Sequence, residues 1–193
     1  MILRQAAKNA KKKKRIQNLQ TFQIYKNLAW LNDLPHAEAQ TVFLDCCGSQ
    51  EWARRMVEKR PFPMLENLYN AAEKTWFSLS PAEWLEAFAA HPKIGSKKST
   101  RVRQVRSTAW SVGEQSGMDA AETDVRERLA EANRLYEEKF GFIFIVCASG
   151  KSADEMLAIA RARLGNSLET ELVISAEEQR KITEIRLNKL LEQ

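Results

Sequence analysis

The chain contains few of the residues that build the commonest kinds of functional site. Its 193 residues include three cysteines, two histidines, five prolines and seven glycines. The cysteines, at positions 46, 47 and 147, offer no disulfide or zinc framework, and we expect reduced thiols. The glycines form no phosphate-binding loop, the histidines lack metal-ligand spacing, and no Gly-x-Ser-x-Gly nucleophile motif occurs. These absences favour acid–base chemistry on a small polar molecule, with no metal and no cofactor.

A long uninterrupted apolar run is also missing from the sequence. A helix that spans a bilayer needs about twenty predominantly apolar residues, and a secretory signal needs an apolar core after its basic start. Neither pattern occurs, so we expect a cytoplasmic protein without a membrane partner. The hydrophobic share of 44% is enough for one compact domain with a sizeable core.

Positive charge is concentrated at the start of the chain. The first twenty residues hold seven of the 30 cations, four of them at 11–14, and none of the 25 acids. The net charge of +5 therefore belongs to this segment rather than to the rest of the chain. We interpret residues 1–20 as a flexible or frayed basic extension and 21–193 as the folded domain. The alternative is a helical nucleic-acid-binding or protein-binding module that uses the extension, although the balanced charge of 21–193 does not favour nucleic acid.

Helix signals recur along most of the chain. Ser80-Pro81-Ala82-Glu83 has the pattern of a capping box with proline at the first helical position. The same start pattern occurs at Asp119 with Glu122, Ser152 with Glu155, and Ser175 with Glu178. Upstream helices are predicted at about 21–31, 37–46, 49–58 and 64–78, with a break at Arg60-Pro61-Phe62-Pro63. The sequence therefore predicts an all-α protein, a single-domain helical bundle.

One segment departs from the helical pattern. Residues 140–147 form an aromatic and β-branched run beside glycine, which predicts a short extended segment near 142–147. A single buried extended segment leaves backbone N–H and C=O groups that need partners. Neighbouring helices and water could provide these partners, or a ligand could.

His91 is the strongest candidate for proton transfer. It follows the apolar helical run at 83–90, and Pro92 disfavours further helix, so the ring is expected at a helix end that faces a loop. Imidazole exchanges protons near neutral pH more easily than any other side chain. The alternative is a histidine that caps the helix through the helix dipole.

The segment at 110–117 is a second candidate. In a helix, Ser111 lies on one face with Glu114 and Gln115, so a hydroxyl, a carboxylate and a carboxamide are close together. Two glycines in the segment are poor helix formers and would permit a close approach by another helix or a ligand. The segment is either exposed helix surface or a functional polar cluster.

Arg186 is a third candidate, because it falls on the apolar face of the last predicted helix. A guanidinium in that position needs an anion, which is either an internal carboxylate or a group of the substrate. Arg163 could likewise need an anionic partner, although the sequence indicates this less clearly.

Several short motifs follow one another in a specific order. They are Cys47-Gly48-Ser49 with Trp52-Ala53, Arg60-Pro61-Phe62, His91-Pro92-Lys93-Ile94-Gly95, Trp110-Ser111 with Glu114-Gln115, Phe140-Gly141-Phe142-Ile143-Phe144-Ile145, Arg163-Leu164-Gly165-Asn166 and Ile185-Arg186-Leu187. Their order and spacing over about 28–191 resemble the OHCU decarboxylases, which convert 2-oxo-4-hydroxy-4-carboxy-5-ureidoimidazoline (OHCU) to (S)-allantoin in urate breakdown. The resemblance implies an all-helical carboxy-lyase, commonly a homodimer, that uses neither a metal nor an organic cofactor.

The resemblance also implies roles for individual residues. His91 resembles the catalytic acid/base and Glu114 its catalytic partner, while Arg186 resembles an anchoring cation. The remaining substrate-binding residues that it implies are Pro92, Ser111, Gln115, Phe142, Ile143, Phe144, Ile145 and Val146. The run at 142–146 would offer backbone groups to the substrate. The substrate would then be the hydrogen-bond partner that these backbone groups need. The basic extension lies outside the family pattern.

Overall fold

Helices make up most of the described chain in a computed structural model of the protein. The structure describes residues 2–93, 110, 114 and 123–193, and no strand occurs within these ranges. The helices in them are α1 (Ile2–Asp33), α2 (His36–Cys47), α3 (Gln50–Glu58), α4 (Leu65–Phe77), α5 (Pro81–Ala89), α6 (Thr123–Phe140), α7 (Ala153–Arg163) and α8 (Leu168–Leu191). The predicted all-α fold is confirmed, and the extended segment near 142–147 lies between α6 and α7.

The predicted helix boundaries agree with the structure for α2 to α5 but differ at both ends of the chain. The first helix begins at Ile2, so the division expected near residue 21 does not coincide with a helix start. The last helix begins at Leu168, where the side chain of Ser167 accepts a hydrogen bond from the Thr170 N–H. The predicted start at Ser175 was wrong, because Ser175 is buried within α8. The start predicted at Asp119 with Glu122 lies outside the described residues.

The last helix, α8, is the central element of the described bundle. It packs against α1, α2, α4 and α5. Aromatic side chains join neighbouring helices of the bundle. Trp76 of α4 donates from its indole nitrogen to the Ala176 carbonyl of α8 at 2.8 Å. Phe43 of α2 meets Trp52 of α3 edge to face, with ring centroids 5.8 Å apart. None of the described helices is both long and apolar enough to cross a bilayer.

The capping box predicted at the start of α5 is present and leads directly toward His91. The Glu83 N–H donates to Ser80 Oγ at 3.4 Å, and the Ser80 N–H donates to Glu83 Oε2 at 2.6 Å. We expect Ser80→Ala to lower the free energy of unfolding by about 1 kcal/mol, because it removes the side-chain acceptor at the cap. Urea titration followed by circular dichroism measures the change. Ser80→Asp keeps an acceptor and should retain most of the stability; equal losses in both variants would show that the cap contributes nothing.

Candidate active site

Six of the predicted site residues line one pocket between the end of α5, the extended segment and α8. Residues that line it are His91, Pro92, Glu114, Phe144, Ile145, Val146, Ala148, Ser149, Ile182 and Ile185. The space among them is about 30 Å³. A histidine, a carboxylate and the extended backbone, which are far apart in the sequence, therefore lie at the same place.

His91 reaches the pocket because α5 ends just before it. The helix ends at Ala89, and the His91 N–H donates to the Phe88 carbonyl at 3.0 Å in a final turn. Beneath this end lies the turn between α2 and α3, where Gly48 has a φ of 88°. A Cβ at Gly48 would lie 2.7 Å from the Ala90 Cβ, which is too close. Glycine at this turn therefore permits both the left-handed backbone and the close approach to α5.

The imidazole of His91 is held by a buried glutamine of α8. His91 Nε2 lies 2.6 Å from Gln179 Oε1. Gln179 is fully buried, and its Nε2 donates to the Cys47 carbonyl and to Thr183 Oγ1, each at 3.2 Å. The sequence did not identify Gln179, although it contacts the strongest candidate for proton transfer.

Glu114 lies in the pocket wall and is paired with Arg186. The guanidinium donates from Nε to Glu114 Oε1 at 3.1 Å and from Nη2 to Oε2 at 2.8 Å. Lys189 Nζ lies 3.4 Å from the same carboxylate. Arg186 is 1% exposed, and its two-pronged contact is the oriented geometry typical of arginine–carboxylate pairs. The structure thus supplies the internal carboxylate for Arg186, and a direct contact between Arg186 and substrate stays a prediction.

The extended segment is fixed by side chains from α7 and α8. Arg163 Nη1 donates to the Ile145 carbonyl at 2.8 Å, and the Cys147 N–H donates to Glu178 Oε2 at 2.7 Å. Lys151 Nζ donates to the Cys147 carbonyl at 2.7 Å. These contacts provide partners for backbone groups that the sequence left unassigned. Arg163 therefore acts on the pocket wall through the backbone of Ile145.

Arg163 is itself part of a buried polar network. Its Nε donates to Glu171 Oε1 at 2.7 Å and its Nη2 donates to Ser175 Oγ at 2.9 Å. The Tyr136 hydroxyl donates to Glu171, and Asn166 Nδ2 donates to Glu171 Oε2 at 2.7 Å. Burial first, and then the hydrogen bond to Glu171, raise the pKa of Tyr136, so its phenol stays protonated. The network satisfies a fully buried carboxylate and fixes Arg163 against the pocket wall.

The three cysteines are buried and none forms a disulfide. Burial is the main reason that the pKa of Cys47 is raised to about 12, which keeps it a thiol rather than a nucleophilic thiolate. Among the described residues, no group of three or more histidine, cysteine, aspartate or glutamate side chains could hold a metal ion.

Not every predicted binding residue lines the described pocket. Phe142 packs in an aromatic cluster, 5.5 Å from Phe88 and 5.8 Å from Tyr136 between ring centroids, and Ile143 is half-buried outside the lining. Ser111 and Gln115 lie outside the described residues. The sequence missed Ala148, Ser149, Ile182 and Ile185, which do line the pocket.

A row of buried polar side chains on α8, which we name the polar ladder, connects these contacts. Its members are Glu171, Ser175, Gln179, Thr183 and Arg186. Residues three or four apart lie on one helical face, so these side chains follow one another along α8. Polar residues at this spacing on a helix that also carries a buried apolar face were the signal that could have identified Gln179. One helix therefore contacts the pocket wall, the histidine and the carboxylate.

The pocket of this helical protein combines a histidine, an ion-paired carboxylate and a fixed segment of backbone. These are features of an enzyme that acts on a small polar molecule. The comparisons with known proteins agree with this class. The family described as OHCU decarboxylase matches residues 32–188 of this sequence. The chain belongs to the OHCU decarboxylase family, and the resemblance found in the sequence motifs is confirmed.

Individual relatives support the assignment. The chain is 44% identical over 147 residues to the uric acid degradation bifunctional protein TTL of Arabidopsis thaliana, covering 75% of this chain and 45% of that protein. It is 32% identical over 135 residues to the mouse (Mus musculus) 2-oxo-4-hydroxy-4-carboxy-5-ureidoimidazoline decarboxylase, covering 69% of this chain and 74% of the mouse protein. The chain spans less than half the length of the bifunctional relatives that it matches.

The fold is shared with a solved structure. A crystal structure of OHCU decarboxylase in the presence of (S)-allantoin superposes with a TM-score of 0.69 at 37% sequence identity. The match covers 79% of this chain and 99% of the crystallised chain. The helical arrangement that brings His91 and Glu114 to one pocket is therefore a family fold.

Proposed function

We propose that the protein catalyses the decarboxylation of OHCU to (S)-allantoin in urate breakdown. The observation that carries the proposal is that His91, Glu114 and the extended segment line one pocket in a chain of this family. The departing carboxylate of OHCU is attached to a ring carbon next to a C=N bond, so the electron pair released with carbon dioxide can move into the substrate's own ring. The substrate thus provides its own electron sink, and the protein must supply orientation, charge stabilisation and proton transfer.

His91 is the proton-handling group in this proposal, and Glu114 is its catalytic partner. The bond between the ring carbon and the carboxylate breaks, carbon dioxide leaves, and the ring carbon keeps its hydroxyl group. His91 accepts the hydroxyl proton as that group becomes the ring carbonyl of allantoin. The ring nitrogen that receives the electron pair gains one proton, and the neighbouring carbon, which bears the ureido group, gains another from one face. The hydroxyl group supplies one of these two protons and solvent supplies the other, and protonation of the carbon from a single face gives one enantiomer.

Glu114 contributes a fixed negative charge to the pocket in this mechanism. Arg186 and Lys189 hold its carboxylate in the wall, so an ionised Glu114 can stabilise the positive charge that His91 acquires. Arg186 as an anchor for the substrate, and Pro92, Ser111 and Gln115 as binding residues, are further parts of the proposal.

Two further features belong to the proposal. The homodimer that the resemblance implies and the cytoplasmic location expected from the sequence stay predictions. The basic residues at 1–20 precede the part of the chain that matches the family, which begins at residue 32, so the family match assigns them no role.

Generating the unstable substrate in place tests the activity. Urate is treated with urate oxidase and hydroxyisourate hydrolase, and the optical activity of the allantoin product is followed by circular dichroism. With the protein present, we expect faster loss of OHCU and an excess of (S)-allantoin. The matched control omits the protein, and spontaneous decay should then give a racemate. Neither acceleration nor enantiomeric excess on addition of the protein would contradict the proposal.

A further inference from the structure

The side-chain amide of Gln179 has one orientation that satisfies its neighbours. The Cys47 carbonyl oxygen can accept a hydrogen bond but cannot donate one, so the group that faces it at 3.2 Å must be the amide NH₂. Thr183 Oγ1 accepts the second N–H, also at 3.2 Å. The amide oxygen is then the atom that faces His91 Nε2 at 2.6 Å. The contact on the far side of Gln179 thus determines what it presents to the histidine.

An amide oxygen only accepts hydrogen bonds, so His91 Nε2 must carry a proton to make this contact. The neutral imidazole has one ring proton, and with that proton on Nε2 the lone pair is on Nδ1. The doubly protonated ring also has a proton on Nε2, so the contact with Gln179 is retained in both charge states. Full burial of Gln179 keeps water from replacing either partner of its amide.

We propose that Gln179 is a positioning residue that fixes His91 in the tautomer with the proton on Nε2, so that Nδ1 is the nitrogen that exchanges protons with the substrate. The part that concerns the reaction rests on the proposed function, whereas the tautomer does not. When Nδ1 accepts the substrate's hydroxyl proton, the ring becomes an imidazolium and Nε2 continues to donate to Gln179. No proton passes through the glutamine, which acts by setting the position and tautomer of the ring.

Nuclear magnetic resonance on the full chain tests the tautomer directly. The chain has two histidines, so a His36→Gln variant assigns the ring nitrogens of His91 in protein labelled with nitrogen-15. At a pH where the ring is neutral, we expect Nε2 to have the chemical shift of a protonated nitrogen and Nδ1 that of an unprotonated one. The opposite assignment in the wild-type protein would overturn the proposal without any variant being needed.

A glutamine variant then tests whether Gln179 causes the preference. Gln179→Met removes the acceptor at similar length, and we expect both nitrogen shifts to move toward the average of a tautomer mixture. Gln40→Met is the matched control, because Gln40 is a half-buried glutamine of α2 that does not line the pocket, and its spectrum should match the wild type. An unchanged His91 spectrum in a folded Gln179→Met variant would remove Gln179 from this role.

Kinetics separate positioning from a general loss of structure. We expect Gln179→Met to lower kcat by roughly 10-fold to 100-fold, with a smaller change in KM, because a misplaced catalytic group slows the reaction step. If the wild-type protein shows the expected tautomer but no decarboxylase activity, the proposed function fails and the tautomer assignment stands.

Discussion

Replacement of His91 by asparagine is expected to remove the enzymatic acceleration of OHCU decay and the enantiomeric excess of its product. A positioned acid–base group contributes roughly 10²-fold to 10⁴-fold to a rate, and asparagine cannot exchange a proton near neutral pH. His91 lies beyond the end of α5 and is half-buried, so helicity should be unchanged. Circular dichroism follows both quantities, since allantoin and the protein are each optically active.

The other histidine provides a matched control for this experiment. His36 is exposed at the start of α2, does not line the pocket, and should tolerate asparagine with wild-type rate and stereochemistry. A His91→Asn variant that retained full activity would remove His91 from the mechanism. Equal losses in the two variants would point to a general effect of histidine replacement rather than to the pocket.

Replacement of Arg163 by methionine is expected to destabilise the fold strongly. The substitution leaves the fully buried Glu171 carboxylate without its cation, and breaking a buried ion pair on one side costs about 3–5 kcal/mol. For a chain of this size that corresponds to a fall in Tm of roughly 6–20 °C. Urea or thermal unfolding measures the change. The Ile145 carbonyl also loses its donor, so activity should fall in the protein that remains folded.

Arg161 gives this prediction its matched control. It lies on the same helix but is exposed, so Arg161→Met should change the free energy of unfolding by no more than about 0.5 kcal/mol. Adding Glu171→Gln to Arg163→Met should recover part of the lost stability, because a neutral amide replaces an uncompensated charge. A loss in Arg163→Met as small as that in Arg161→Met would contradict the structural role assigned to this network.

Local sequence signals were sufficient for much of the fold. The box at Ser80 and the proline-rich break after Arg60 act within a few residues, so the bounds of α2 to α5 followed from the sequence alone. The same reasoning failed at Ser175. A serine followed by a glutamate three residues later resembles a cap, but here Ser175 accepts from Arg163 and Glu178 accepts from the Cys147 N–H. Tertiary contacts decided the role of both side chains.

The sequence identified several residues of the candidate site but not the contacts that these residues make with one another. The sequence indicated that Arg186 needs an anion and that Glu114 belongs to a polar cluster, yet no local rule joins two residues so far apart in the chain. Gln179 was missed because polar residues of a helix are most often exposed, and which of them is buried depends on the elements packed around α8. The spacing of residues in the sequence shows which of them share a helix face, whereas tertiary packing determines what that face contacts.

The close approach of Gly48 to Ala90 makes the placement of His91 depend on a position that does not line the pocket. Any larger residue in this turn must push α5 away or alter the turn, and the imidazole lies one residue beyond Ala90. A survey of substitutions would score Gly48 as if it belonged to the catalytic machinery, although it supplies no chemical group. We therefore expect tolerance to mutation in this protein to depend on how closely its helices approach one another as much as on the chemistry of its pocket.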